Sequence, residues 1–141
     1  MIVIINGPNL NLLGKRQPEI YGSESFEHFL HKLRERFPET AIEYFQSNCE
    51  GEIIDKIHNS GLDNPECEGI VINPGAYAHY SYAIADAIAS IKKPVVEVHI
   101  SNITAREEFR RKSVTAPNCK AIISGCGLEG YALAISYLQS L

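Results

Sequence analysis

The chain has 141 residues, the size of one ordinary domain; 45% are hydrophobic and 21% charged, which excludes a disordered chain. Thirteen Lys and Arg against 17 Asp and Glu leave a net charge of −4, so there is no basic field to hold nucleic acid or an anionic membrane. The longest apolar runs, Met1–Ile5 and Tyr131–Ile135, have five residues each, against roughly 20 needed to cross a bilayer. No basic segment accompanies the first of them, and it breaks at Asn6-Gly7-Pro8, unlike a secretory signal. Cys49, Cys67, Cys119 and Cys126 form no C-x-x-C pair and no zinc-ligand spacing; they read as buried free thiols of a cytoplasmic protein.

Short β-rich runs alternate with helical patterns. Met1–Ile5 reads as a buried strand ended by the turn residues Asn6-Gly7-Pro8-Asn9. The segment 14–22, bounded by glycines and without periodicity, reads as a mobile loop able to close over a site. Residues 25–37 place Phe26, Phe29, Leu30, Leu33 and Phe37 on one helical face, stopped by Pro38. A strand at 41–46 precedes a helix at 50–60, with Ile53, Ile54 and Ile57 inward and Gly61 as its expected C-cap. Gly69–Asn73 is the third strand. Tyr80, Ala83, Ile84, Ala87, Ile88 and Ile91 then share one helical stripe, on which Asp86 follows His79 by seven residues. A strand at 94–100, a charged helix at 104–112, a strand at 120–124 and a helix at 128–138 complete the order. Five strands alternating with helices imply a flavodoxin-like α/β fold, a doubly wound five-stranded parallel sheet with helices on both faces. With no linker or repeat, residues 1–141 read as a single domain.

In that architecture ligands bind beyond the carboxyl ends of the strands. Strand one ends in Asn6-Gly7-Pro8-Asn9, strand three in Asn73-Pro74-Gly75-Ala76-Tyr77-Ala78-His79, and strand four in Glu97-Val98-His99-Ile100-Ser101-Asn102. Glu97, His99 and Ser101 share one side of their strand, and a carboxylate beside a histidine fixes the ring's tautomer. In the charged helix, Thr104 and Glu107 match a capping box, and Glu107–Arg111 and Glu108–Lys112 match favourable i, i+4 pairs. Arg106 and Arg110 are left without local partners, a pair of forks suited to a carboxylate or vicinal oxygens. On the 14–22 loop, Arg16 lies five residues from Tyr21, and a cation so placed favours a phenolate. Gly125, Gly127 and Gly130 match the dinucleotide fingerprint G-x-G-x-x-G, but only 11 residues follow, too few for the required strand and acidic residue. These glycines read as a tight turn that lets a helix approach the sheet.

Taken together, these blocks resemble the type II 3-dehydroquinate dehydratases over essentially the whole chain. The resemblance rests on residues 6–14, on Arg16 and Tyr21-Gly22, on residues 73–79 and 97–102, and on Arg106-Glu107-Glu108-Phe109-Arg110. It implies removal of water from 3-dehydroquinate through an enolate, with no metal and no cofactor, in aromatic biosynthesis or quinate breakdown. It implies that Tyr21 is the proton acceptor at C2, activated by Arg16, and that Asn9 holds a water near the enolate. His99, oriented by Glu97, becomes the proton donor to the departing C1 hydroxyl. Asn73, His79, Arg110 and the Ile100-Ser101 backbone become the substrate-binding set, and Arg106 helps close the loop. It further implies a homododecamer, a tetramer of trimers, with Asp86 binding substrate across a trimer contact. Ala85 departs from the arginine frequent in relatives, which bears on assembly rather than chemistry. A metal-dependent lyase built on His79, His99, Glu97 and Asp86 lacks any local His pairing. A response-regulator-like binding module needs acidic residues where this chain has Asn6.

Overall fold

The structure, a computed structural model, describes residues 1–15, 17–21 and 23–141, and of Pro18 and Tyr21 the backbone alone. Five parallel strands, β1 (Ile2–Asn6), β2 (Ile42–Gln46), β3 (Gly69–Asn73), β4 (Val95–His99) and β5 (Ala121–Ser124), form one sheet in the order β2-β1-β3-β4-β5. This is the doubly wound α/β order expected from the alternation, with its switch between β1 and β3. Strand periodicity sorts the core. Ile2, Ile4, Val71, Val96 and Val98 face the helices α2 (Phe26–Arg36) and α5 (Glu129–Gln139). Val3, Ile5, Ile70, Ile72 and Val95 face α3 (Glu50–His58) and α4 (Tyr82–Ala89) on the other side. Strands buried on both faces read as continuous apolar runs, and each fully buried isoleucine contributes about 1.5–3 kcal/mol.

At the switch, the Gly7 N–H donates to the Asn73 carbonyl at 2.8 Å, and a Cβ on Gly7 would lie 2.4 Å from the Pro74 carbonyl oxygen. Only glycine lets β1 and β3 leave the sheet this close together. Asn6, Asn73 and Gln46 are level across β1, β3 and β2, and His99 is level with Ser124 of β5.

Several segments depart from the sequence reading. Within 14–22, Pro18–Tyr21 form the one-turn helix α1, with proline at the first position, where its fixed φ suits a helix. Gly61 caps nothing. The helix runs on through a π turn at Asn59–Asp63, and Gly61 is buried where a Cβ would sit 2.6 Å from Ile91 Cγ2. The stripe from Tyr80 to Ile91 is broken in two. Gly75–His79 form a 3₁₀ turn, and Ser81 then caps α4 by accepting the Ile84 N–H at 3.0 Å. Tyr80 and Ala83 are exposed in consequence, and Asp86 does not share a helical face with His79.

The charged helix at 104–112 is replaced by two 3₁₀ turns, Ile103–Ala105 and Glu108–Arg110. Asn102, not Thr104, supplies the cap, and extended backbone at Arg106 and Glu107 separates the turns. Without a continuous helix Glu107 pairs at i, i+3 with Arg110, while Arg111 donates to the Arg106 carbonyl. All four cysteines are free, but only Cys67 is buried; Cys119 is half-buried, and Cys49 and Cys126 are exposed. Among the described residues no helix is long and apolar enough to cross a membrane.

Candidate active site

A cavity of about 140 Å³ opens at the carboxyl ends of β1, β3 and β4. Asn9, Asn73, His79 and His99 line it, with Ile100 and Ser101 from the turn after β4. Arg106 and Arg110 close the wall from the two 3₁₀ turns. Eight residues singled out in the sequence thus meet at one place. Glu97 stands behind His99 rather than in the wall. Asp86, exposed on α4, is not among the described residues of the cavity. Arg16 and the side chain of Tyr21 lie outside the described residues.

Strand β4 carries the central pair. Period two puts Glu97 and His99 on one side, and His99 Nε2 donates to Glu97 Oε2 at 2.8 Å. Glu97 is wholly buried and His99 nearly so, and the bond leaves Nδ1 as the ring nitrogen free to meet a ligand. The Glu97 carboxylate also accepts the hydroxyls of Ser113 and Thr115. The His79 ring lies nearly parallel to that of His99, with centroids 6.2 Å apart. Its Nδ1 donates to the Lys112 carbonyl at 2.8 Å, which directs Nε2 away as an acceptor. Burial holds the His79 pKa below the ordinary histidine value, and the neighbouring His99 and Arg110 act in the same direction.

The asparagines are held as firmly. Asn9 adopts a left-handed backbone, φ 69°, which asparagine tolerates better than most residues. Its N–H donates to Asn48 Oδ1 at 3.0 Å, and Gln46 Nε2 donates to that same oxygen and to the Gly7 carbonyl. Asn73 Nδ2 donates to the Tyr131 hydroxyl at 2.9 Å, which in turn donates to Asn6 Oδ1 at 2.8 Å. Asn73 Oδ1 accepts the Gly75 N–H, so both ends of the amide are fixed. Burial pushes the Tyr131 phenol far above its ordinary range, keeping it a donor.

The turn after β5 fixes the Ile100-Ser101 backbone. Gly125 and Gly127, both at positive φ, donate their N–H groups to the His99 and Ile100 carbonyls, and Ser124 Oγ donates to that of Ser101. The glycine-rich turn is therefore a clamp on the cavity's edge. Neither arginine is without a partner, contrary to the sequence reading: Arg110 Nε meets Glu107 Oε2 at 2.7 Å, and Arg106 reaches Ser101 Oγ at 3.4 Å. The broken helix permits both contacts. Arg110 also stacks on Phe109 at 4.7 Å. No group of three His, Cys, Asp or Glu able to hold a metal ion occurs among the described residues.

Sequence reasoning did not single out Asn48, Ser113, Thr115, Ser124 or Tyr131 as parts of this site. The strand-end rule applied to β2, which closes in Gln46-Ser47-Asn48, points to the first. The others act through groups distant in the chain, for which the sequence holds no local signal.

The arrangement offers a buried carboxylate–imidazole pair, amide groups, a neutral imidazole and two guanidinium groups around a small polar cavity. The family profile described as Dehydroquinase class II matches residues 1–139. A 3-dehydroquinate dehydratase of Caldicellulosiruptor bescii is 54% identical over 142 residues, covering 99% of this chain and 97% of its own. Among solved structures, the type II dehydroquinase from Propionibacterium acnes superposes with a TM-score of 0.93 at 42% identity, over 99% of this chain and 96% of that one. The type II dehydroquinase from Butyrivibrio crossotus gives 0.91 at 52% identity, over 98% and 96%. The chain belongs to the class II dehydroquinase family.

Proposed function

We propose that the chain dehydrates 3-dehydroquinate to 3-dehydroshikimate. The observation that carries this reading is His99, held through Nε2 by buried Glu97 in the wall of a cavity that two arginines and two asparagines also line. Family membership supplies the substrate. A proton α to a ketone is weakly acidic, so the base must be strong and yet ionised near neutrality. Tyr21, with Arg16 as the activating cation, takes the C2 proton and leaves an enolate on the C3 carbonyl oxygen. Asn9 holds a water that donates to that oxygen. His99 then gives the proton on Nδ1 to the C1 hydroxyl, the C1–O bond breaks, water departs and the C1–C2 double bond forms. The ring is left neutral, with Nε2–H still on Glu97.

Asn73, His79, Arg110 and the backbone of Ile100 and Ser101 bind the hydroxyls and carboxylate of the substrate, and Arg106 helps close the site over it. A neutral His79, its Nδ1 occupied by the Lys112 carbonyl, accepts a hydroxyl proton through Nε2. No metal, imine or other cofactor takes part. Asp86 reaches the cavity of a neighbouring subunit in a trimer, and four trimers make a dodecamer. Its exposure on α4, apart from its own chain's described cavity wall, supports that arrangement.

Kinetics of Tyr21→Phe test the chemistry. A fall in kcat of about 10²–10⁴-fold in a folded variant is expected, and near-wild-type turnover removes Tyr21 from the base's role. Co-refolding Tyr21→Phe with Asp86→Ala tests the assembly, because mixed trimers contain sites with both residues intact. Recovery of part of the activity is expected. No recovery in mixtures shown by mass spectrometry to hold hybrid trimers overturns the role in trans.

A further inference from the structure

A carboxylate removed from water is a costly charge unless donors surround it. Glu97 is wholly buried, and three donors surround it. Oε2 accepts His99 Nε2–H at 2.8 Å and the Ser113 hydroxyl at 2.6 Å, and Oε1 accepts the Thr115 hydroxyl. Thr115 is buried, and Ser113 is half-buried with its oxygen tied to the Ala116 N–H at 3.0 Å. Neither residue lines the cavity, so neither is placed to touch a ligand.

We propose that Ser113 and Thr115 are positioning residues that keep Glu97 an anion, so that the proton between the pair stays on His99. The inference rests on the reading of His99 as the proton donor. When the ring carries a proton on both nitrogens, as the role of proton donor requires, the dry carboxylate 2.8 Å away has another arrangement open to it: it can take the Nε2 proton, and both groups become neutral. The ring would then hold only the Nδ1–H of a neutral imidazole, a far weaker acid, and C1–O cleavage would lose its proton source. Two hydroxyl donors stabilise the charged arrangement, because hydrogen bonds to an ionised acceptor are about twice as strong as neutral ones. They also prevent rotation of the carboxylate, which fixes the ring plane of His99 and the direction of Nδ1.

Thr115→Val and Ser113→Ala remove the hydroxyls without altering the cavity wall. The expected result is a fall in kcat of about tenfold in each variant and toward a hundredfold in the pair, with KM changed less than about twofold. Thr115→Ser, which restores the hydroxyl alone, recovers most of the loss. In the ligand-free protein, the ¹³C resonance of the Glu97 carboxyl, assigned with Glu97→Gln, moves toward the carboxylic-acid position in the double variant. Equal kcat loss in Thr115→Ser, or a carboxyl resonance that does not move, overturns the proposal. If Thr115→Val does not fold, Ser113→Ala at its half-exposed position gives the same readouts alone. His99→Ala, run alongside, separates the two readings: wild-type turnover there removes His99 as proton donor, whereas the carboxyl resonance reports on the hydroxyls without any substrate.

Discussion

Replacing Tyr131 by phenylalanine removes one oxygen atom from the centre of the protein. The ring itself is fully buried, edge-on to Phe26 at 4.9 Å, and that packing survives the change. What is lost is the hydroxyl that bridges Asn6 and Asn73. Asn6 Oδ1 loses a donor at 2.8 Å and Asn73 Nδ2 an acceptor at 2.9 Å, with the two residues 0% and 3% exposed, so water cannot replace it without a rearrangement. An unsatisfied buried polar group costs about 1–3 kcal/mol, so two of them cost about 2–4 kcal/mol after the easier burial of phenylalanine is allowed for. For a chain of this size that corresponds to a fall of about 6–12 °C in Tm. Thermal unfolding followed by circular dichroism at fixed chain concentration measures it, concentration being held because association would move the midpoint. Asn73 is also a proposed substrate ligand, so KM should rise severalfold. A Tm within about 2 °C of the parent would refute the view that this hydroxyl holds the two strand ends.

Gly61→Ala should cost about 1–3 kcal/mol, because its Cβ would meet Ile91 Cγ2 at 2.6 Å inside a packed layer; urea unfolding reads the loss, and trimming Ile91 to valine should restore part of it. Asn48→Ala removes the acceptor that holds Asn9 in its left-handed conformation, and a lost hydrogen bond of about 1 kcal/mol predicts a kcat about fivefold lower with the fold intact. Stability should also fall in alkali. Burial, with the Glu97 charge a lesser cause, pushes the Cys119 thiol up to about 12, and the folded chain holds that proton more tightly than the unfolded one. Its contribution is full below the unfolded value of about 8.5 and is lost, at about 1.4 kcal/mol per pH unit, as pH rises toward 12. Tyr131 acts in the same sense from about pH 10 upward, its folded value being raised by burial. A denaturation midpoint unchanged between about pH 9 and 11, or equal slopes in wild type and Cys119→Ala, would contradict this.

Strands and long amphipathic helices were legible because their patterns report burial directly: Val3 and Ile5 against Ile2 and Ile4, or Phe26, Phe29, Leu30 and Leu33 along α2. The strand-end rule then located six described residues around one cavity, Asn9, Asn73, His79, His99, Ile100 and Ser101, and the paired arginines of the charged segment added Arg106 and Arg110. Local chemistry overrode periodicity elsewhere. Ser81 starts a new helix inside an apparently continuous stripe, and Asn102 caps a 3₁₀ turn where spaced charges suggested an α-helix. Gly61 resembled a cap because the close approach of Ile91 depends on tertiary packing. The partners of Glu97 were hidden for a similar reason: Ser113 and Thr115 lie 16 and 18 residues away, and ordinary polar residues in a loop carry no mark of the carboxylate they face.

Dehydration of 3-dehydroquinate creates a conjugated enone that absorbs where the substrate does not. Purified protein mixed with 3-dehydroquinate should therefore produce a steady rise in ultraviolet absorbance, undiminished after extensive treatment with a strong chelator. Borohydride added during turnover should leave the mass of every lysine-containing peptide unchanged. A flat absorbance trace from folded protein would contradict the assigned reaction, and a borohydride-dependent mass increase on a lysine would replace the enolate route with an imine.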